Sequence, residues 1–132
     1  MCGVYFTNRN ESAKSDNNFL LRGPDCFNQV ESEGINMCHS LLSLTGEFTK
    51  QPIEQSDVKL IFNGQIYNYD NQAYSSDSYF VLNEYLTKDL NFWENLDGEY
   101  AVVIYDKKKE VVVFATDIFG TKPLFYCIDN GK

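Results

Sequence analysis

Apolar and polar positions alternate from the start of the chain, where Val4 and Phe6 stand against Tyr5 and predict a strand over 3–7. The polar stretch 8–18 reads as a loop or turn, and 19–21 as a short apolar segment running into the Gly23-Pro24 turn. Residues 34–44 predict a strand pair, or one long strand interrupted near Ser40. The apolar run 58–62 predicts a strand ending at Asn63-Gly64, a strong turn dipeptide. Ser76 and Asp77 look like a helix N-cap. Val81, Leu82, Tyr85 and Leu86 follow as two adjacent pairs four residues apart, the period of one buried helical face. A second short helix covers 91–96. From Glu99 onward the pattern is β, with strands over 100–105, 111–116 and 124–128 and a turn at 106–110. The runs from Ala101 and Val111 are nearly continuously apolar, which predicts a sheet covered on both faces. Two buried sheet layers with helices outside suit this pattern, an α+β fold in a single domain over 1–132.

A chain of 132 residues, 43% hydrophobic and 15% aromatic, is a folded domain with a core of its own. No internal repeat, low-complexity tract or Pro/Ser-rich linker divides it. Eleven basic against 19 acidic residues give a net charge of −8. A phosphate-binding surface needs clustered Lys and Arg, so no nucleic-acid partner is expected. The one basic run, Lys107-Lys108-Lys109, falls between two strands and reads as a solvated hairpin turn. No apolar segment approaches the roughly 18 residues of a membrane span, and the N-terminus lacks a signal peptide's charged region and apolar core. The expected compartment is the cytoplasm, with no membrane partner. Cys2, Cys26, Cys38 and Cys127 therefore read as free thiols. With one histidine and no Cys-x-x-Cys, their spacing fits no zinc pattern. Cys26, Cys38 and Cys127 lie in or beside apolar runs and are expected in the core.

Cys2 changes the picture. Methionine is removed when the second residue is small, and the chain would then begin with a cysteine bearing a free α-amine. Such an amine titrates near ~7.7–8.0 and a thiol near ~8.5, so the amine can relay the thiol's proton at neutral pH. Taken alone, the signal is weak, because a cysteine at this position is usually just a small buried residue.

Six further segments follow in order: Arg22-Gly23-Pro24-Asp25, His39 to Leu44, Asn63 to Asn68, Ser76-Asp77, Leu96 to Ala101 and Asp117 to Tyr126. Behind Met1-Cys2-Gly3, they make the chain resemble class II glutamine amidotransferases over nearly its whole length. The likeness is to the glutaminase domain of asparagine synthetases. It implies the αββα sandwich of the N-terminal nucleophile hydrolases, in shortened form, because family domains are longer; the chain is a minimal version or a fragment. It also implies that Cys2 is the nucleophile, that Asn63 (side-chain amide) and Gly64 (backbone N–H) hold the oxyanion, and that Arg22 shapes the pocket beside Cys2. His39, the single histidine, is expected in the core or behind the site rather than as a base. No metal or organic cofactor is required.

The substrate clamp departs from the family. The position of the arginine that pairs with the glutamine α-carboxylate holds Leu41, followed by Leu42, and an acid that helps hold the α-ammonium is replaced by Gln65. Asp77, the other ammonium ligand, is retained. Leaving a desolvated carboxylate unpaired costs about 3–5 kcal/mol, on the order of 10²–10³-fold in affinity. One positive and one negative charge have gone together, so the pocket's net charge is unaltered while its fit to a zwitterion is lost. The expected activity is an amidohydrolase that acts on glutamine or a related small amide, releasing ammonia. The alternatives are a non-catalytic remnant binding a small ligand or synthetase partner, and a fragment whose acceptor domain lies on another chain.

Overall fold

The computed structural model describes residues 1–44 and 46–129. The chain forms β1 (Gly3–Thr7), a 3₁₀ turn (Ala13–Ser15), α1 (Asn17–Leu21), β2 (Cys26–Ser32), β3 (Ile35–Leu41), β4 (Ile53–Gln55) and β5 (Val58–Ile66). It continues through α2 (Asp77–Lys88), a second 3₁₀ segment (Asp89–Asn95), β6 (Gly98–Asp106) and β7 (Val111–Thr116). The strands make two antiparallel sheets, one ordered β1-β3-β2 and the other β4-β5-β6-β7. The fold is α+β, with few helices.

Strand alternation explains how one sheet serves two cores. Leu60 and Phe62 of β5 and Val102 and Ile104 of β6 face α2, where they meet Val81, Leu82, Tyr85 and Phe92. Ile61 and Val103 point the other way and meet Ile35 and Met37 of β3, with Val4 and Phe6 of β1 packed alongside. Each such side chain contributes roughly 1.5–3 kcal/mol on full burial, and a run without polar residues is what a strand covered on both faces requires. α2 starts after an extended Ser76, carries Asp77 in its first turn and Lys88 in its last, both placed to suit the helix dipole.

Several expectations need correction. Asn63-Gly64 does not end β5, which runs on to Ile66. Gly64 lies opposite Tyr100, where the neighbouring backbone comes so close that a Cβ would stand 2.2 Å from the Glu99 carbonyl oxygen. The glycine serves a close interstrand approach and not a turn. Residues 34–44 contain one strand, β3, whose partner β2 was not anticipated; only Cys26, Phe27 and Val30 of its seven residues are apolar. The short β4 was missed as well.

No strand forms over 124–128, where Phe125, Tyr126 and Ile128 are 89%, 77% and 71% exposed and no strand edge receives them. Cys127 is accordingly exposed rather than in the core, while Cys38 is buried and Cys26 half-buried. β7 is an edge strand, so its apolar run is only partly covered, with Val111 and Phe114 exposed. The lysine run does form the β6–β7 turn, where Lys109 pairs with Asp89 at 2.7 Å and Asp106 at 3.3 Å.

Candidate active site

The antiparallel register of β1 and β3 sets Gly3 against Ser40, which carries Cys2 alongside the end of β3. There the Leu42 N–H donates to Cys2 Sγ at 3.4 Å, and the thiol points back at the Leu42 carbonyl, 3.7 Å away. The Cys2 backbone N–H donates to Asn63 Oδ1 at 2.9 Å. One sheet thus holds the sulfur and the other the nitrogen. Burial pushes the thiol pKa up, the Leu42 N–H and the positive chain terminus oppose this, and Asp77 and Asp25 add to it, leaving the pKa raised.

The Arg22–Asp25 turn clamps the strand end that carries Leu41 and Leu42. Ser40 Oγ donates to the Gly23 carbonyl at 2.7 Å, the Asp25 N–H donates to the Leu41 carbonyl at 3.0 Å, and Asp25 Oδ2 accepts from the Ser43 N–H at 2.8 Å. Any side chain at Gly23 would collide with Ser40, its Cβ only 2.1 Å from the carbonyl oxygen. Arg22 is exposed and donates through Nε to the Cys2 carbonyl at 3.4 Å. It braces the backbone of Cys2 from outside the cleft.

Beyond Leu60, the outer edge of β5 has no strand partner, because β4 pairs only as far as Ile53 against Leu60. Along an antiparallel strand every second residue points its N–H to the same edge. Phe62, Gly64 and Ile66 share that outer edge. The Phe62 N–H donates to Gln51 Oε1 at 2.6 Å, and the Ile66 N–H donates to Asp77 Oδ2 at 3.2 Å. Tyr100, opposite Gly64, spends both its backbone groups on Asp117: its N–H donates to Oδ2 and its carbonyl accepts from the Asp117 N–H, each at 3.0 Å. The Gly64 N–H is therefore left between two satisfied neighbours and free of β6. Asn63 Nδ2 likewise donates to no protein group among the described residues, its Oδ1 being taken by Cys2.

These groups line a cleft of about 290 Å³, together with Leu41, Leu42, Gln65 and Asp77. Gln65 is exposed, Leu41 is 7% exposed, and Asp77 is half-buried with its carboxyl pushed up by burial against the opposing N–H groups of Ile66 and Ser78. Of the sequence candidates, Arg22 stands outside the cleft. His39 does so too, fully buried behind the site. Its Nε2–H donates to the Phe62 carbonyl at 3.1 Å, tying β3 to β5 one residue before Asn63. Burial lowers its pKa to about 4 despite that bond.

Gln51, Glu99 and Lys122 also line the cleft, with no assignment from the sequence. Lys122 Nζ lies 3.0 Å from Glu99 Oε1 in the cleft wall. The only signal for Gln51 was a polar residue beside Pro52 that proves to be buried. Asp117 organises the segment that brings Lys122 in. Burial would raise its pKa, but the donors of Thr121, Tyr100 and Phe119 hold it at about 2. Among the described residues no group of three or more His, Cys, Asp or Glu could hold a metal ion, and no helix is long and apolar enough to cross a membrane.

A family model described as a glutamine amidotransferase domain matches residues 1–132. A Methanocaldococcus jannaschii relative, named for the glutamine-hydrolysing asparagine synthetases, is 39% identical over 74% of this chain and 20% of its own length. Asparagine synthetase (glutamine-hydrolysing) 2 of Bacillus subtilis is 33% identical over 80% of this chain and 16% of its own. The amidase chyE of Penicillium rubens is 30% identical over 84% and 19% respectively. The chain spans about a fifth of the length of these relatives.

Proposed function

Because the chain belongs to the glutamine amidotransferase domain family, we propose that it is an N-terminal-cysteine amidohydrolase on an αββα sandwich, with the side-chain amide of a glutamine-type substrate as its target. Removal of Met1 frees the Cys2 amine. Asn63 Oδ1, 2.9 Å from that nitrogen, orients it, and the amine takes the thiol proton as sulfur attacks the amide carbon. The tetrahedral oxyanion receives the Gly64 N–H and Asn63 Nδ2. Collapse breaks the C–N bond, and ammonia departs with the relayed proton. Water, deprotonated by the same amine, cleaves the thioester to the carboxylic acid and regenerates the thiol.

The single observation that carries this proposal is the unspent Gly64 N–H beside a cysteine whose nitrogen and sulfur are each held in place. Asn63 contributes two contacts through one amide, anchoring the nucleophile's nitrogen with oxygen and offering its NH₂ to the oxyanion. The ammonia acceptor is a synthetase-type domain, in line with the names of the relatives. Free thiols suit the reducing conditions of the cytoplasm.

The test is ammonia release from glutamine and small amides by protein beginning at Cys2, against Cys2→Ala and against protein retaining Met1. Release confined to the Cys2 form supports the proposal. Equal release from Cys2→Ala would remove Cys2 from the chemistry, and release from no form would favour a ligand-binding remnant. The buried Leu41 in place of a cation is the observation that keeps that second possibility open.

A further inference from the structure

The two walls of the cleft differ in chemistry. Leu41, Leu42 and Leu44 make one apolar wall where β3 ends. The remaining wall carries three acids, Glu47, Asp77 and Glu99, and one base, Lys122. Lys122 is already committed to Glu99 at 3.0 Å and its side chain is only 14% exposed. The two arginines of the chain are unavailable as well: Arg9 pairs with Asp129 at 2.8 Å, and Arg22 is held outside by the Cys2 carbonyl. Among the described side chains that line the cleft, acids outnumber bases and none is a free cation for an anion; the other cationic group there, the α-amine at Cys2, is held by Asn63 and is the base of the mechanism proposed above. A free carboxylate placed against Leu41 would lose its water and gain no partner. An ammonium near Asp77 would meet a carboxylate already aimed by the Ile66 N–H.

We infer that the substrate is a glutaminyl group with a free α-ammonium and a masked α-carboxylate, as at the N-terminus of a peptide. This rests on the amidohydrolase proposed above. Masking turns the carboxylate into a neutral peptide carbonyl, which tolerates the apolar wall. The following residue then leaves the cleft past Leu44, which is 77% exposed at its rim. The chemistry balances as for glutamine: the side-chain amide C–N bond breaks, water supplies the new C–O bond, and the products are ammonia and an N-terminal glutamyl peptide.

The experiment compares glutaminyl-glycine, free glutamine and N-acetylglutamine as substrates of the protein beginning at Cys2, following the peptide product by mass. Hydrolysis adds about 1 Da, whereas spontaneous cyclisation removes about 17 Da, so the two sources of ammonia are separable. The expected order of kcat/KM is glutaminyl-glycine first, free glutamine lower by on the order of 10²-fold, and N-acetylglutamine lowest. Leu41→Arg should narrow or reverse the first difference. Free glutamine turned over as well as the dipeptide would overturn the substrate class while leaving the nucleophile intact.

A parallel calorimetric titration of Cys2→Ala with the same three compounds separates the claims. Preferential binding of the dipeptide without turnover by the native cysteine would support the substrate class and sink the catalytic proposal. Failure of all three to bind at millimolar concentration would overturn the substrate class outright.

Discussion

At the scale of single residues, the proposed mechanism divides the site into groups that act on substrate and groups that act on one another. Asn63 is proposed for both, since its oxygen holds the Cys2 nitrogen and its NH₂ has no protein partner among the described residues. Asn63→Ala should lower kcat by about 10²–10³-fold, the usual cost of one oxyanion donor, with a smaller change in KM. Steady-state kinetics on the Cys2-initiated protein measure both. His39 acts only on the fold. Its folded pKa of about 4 lies below the ordinary 6.5, so the unfolded chain binds more protons between those values. The neutral ring's contribution is present above pH 6.5 and is lost as pH falls towards 4, amounting to about 3 kcal/mol across that window. Urea titrations at pH 7 and pH 4.5 should show this loss, and His39→Gln should flatten it. The motif at 39–44 made His39 visible in the sequence. Its burial against the Phe62 carbonyl was not, because that contact joins residues 23 apart across two sheets.

At the scale of elements, the site depends on β5 losing its outer partner beyond Leu60 while β6 continues alongside it. Gly64→Ala should therefore harm both fold and catalysis, since its Cβ would meet the Glu99 carbonyl at 2.2 Å and push the strand bearing the free N–H. A drop in thermal midpoint together with lost turnover is the expected outcome. A soluble, fully active Gly64→Ala protein would contradict the assignment of that strand edge. The segment beyond β7 hangs on Asp117, which gathers backbone donors from both sides. Asp117→Asn should cost about 1.5–3 kcal/mol, the range for hydrogen bonds to a charged group, as read from denaturant midpoints. α2 and the β6–β7 hairpin were legible in the sequence because their periodicities are local. β2 was not, since it is half-polar and is fixed only by pairing with β3. The Asn-Gly pair misled for a related reason: a turn signal and a close interstrand approach call for the same glycine.

At the scale of the whole molecule, two cores share one sheet, and the cleft opens where the two sheets meet at Cys2 and Asn63. Phe92 is fully buried against α2, and Phe92→Ala should lose about 3–5 kcal/mol in denaturant unfolding. Ile118 and Phe125, 91% and 89% exposed, should tolerate serine within about 0.5 kcal/mol. The resemblance in the motifs anticipated which residues converge, and pattern alone did not, because convergence requires β1, β3, β5 and α2 to be brought together from distant parts of the chain.

The central claim is that this convergence makes Cys2 a nucleophile once Met1 is gone, and a diazoketone analogue of a glutaminyl group with its α-carboxylate masked tests it most directly. Mass spectrometry of the intact and digested protein should find one adduct, on Cys2, in the Met1-free form and none in the form that keeps Met1. Equal labelling of the exposed Cys127, or no labelling of Cys2 in the Met1-free form, would contradict the account.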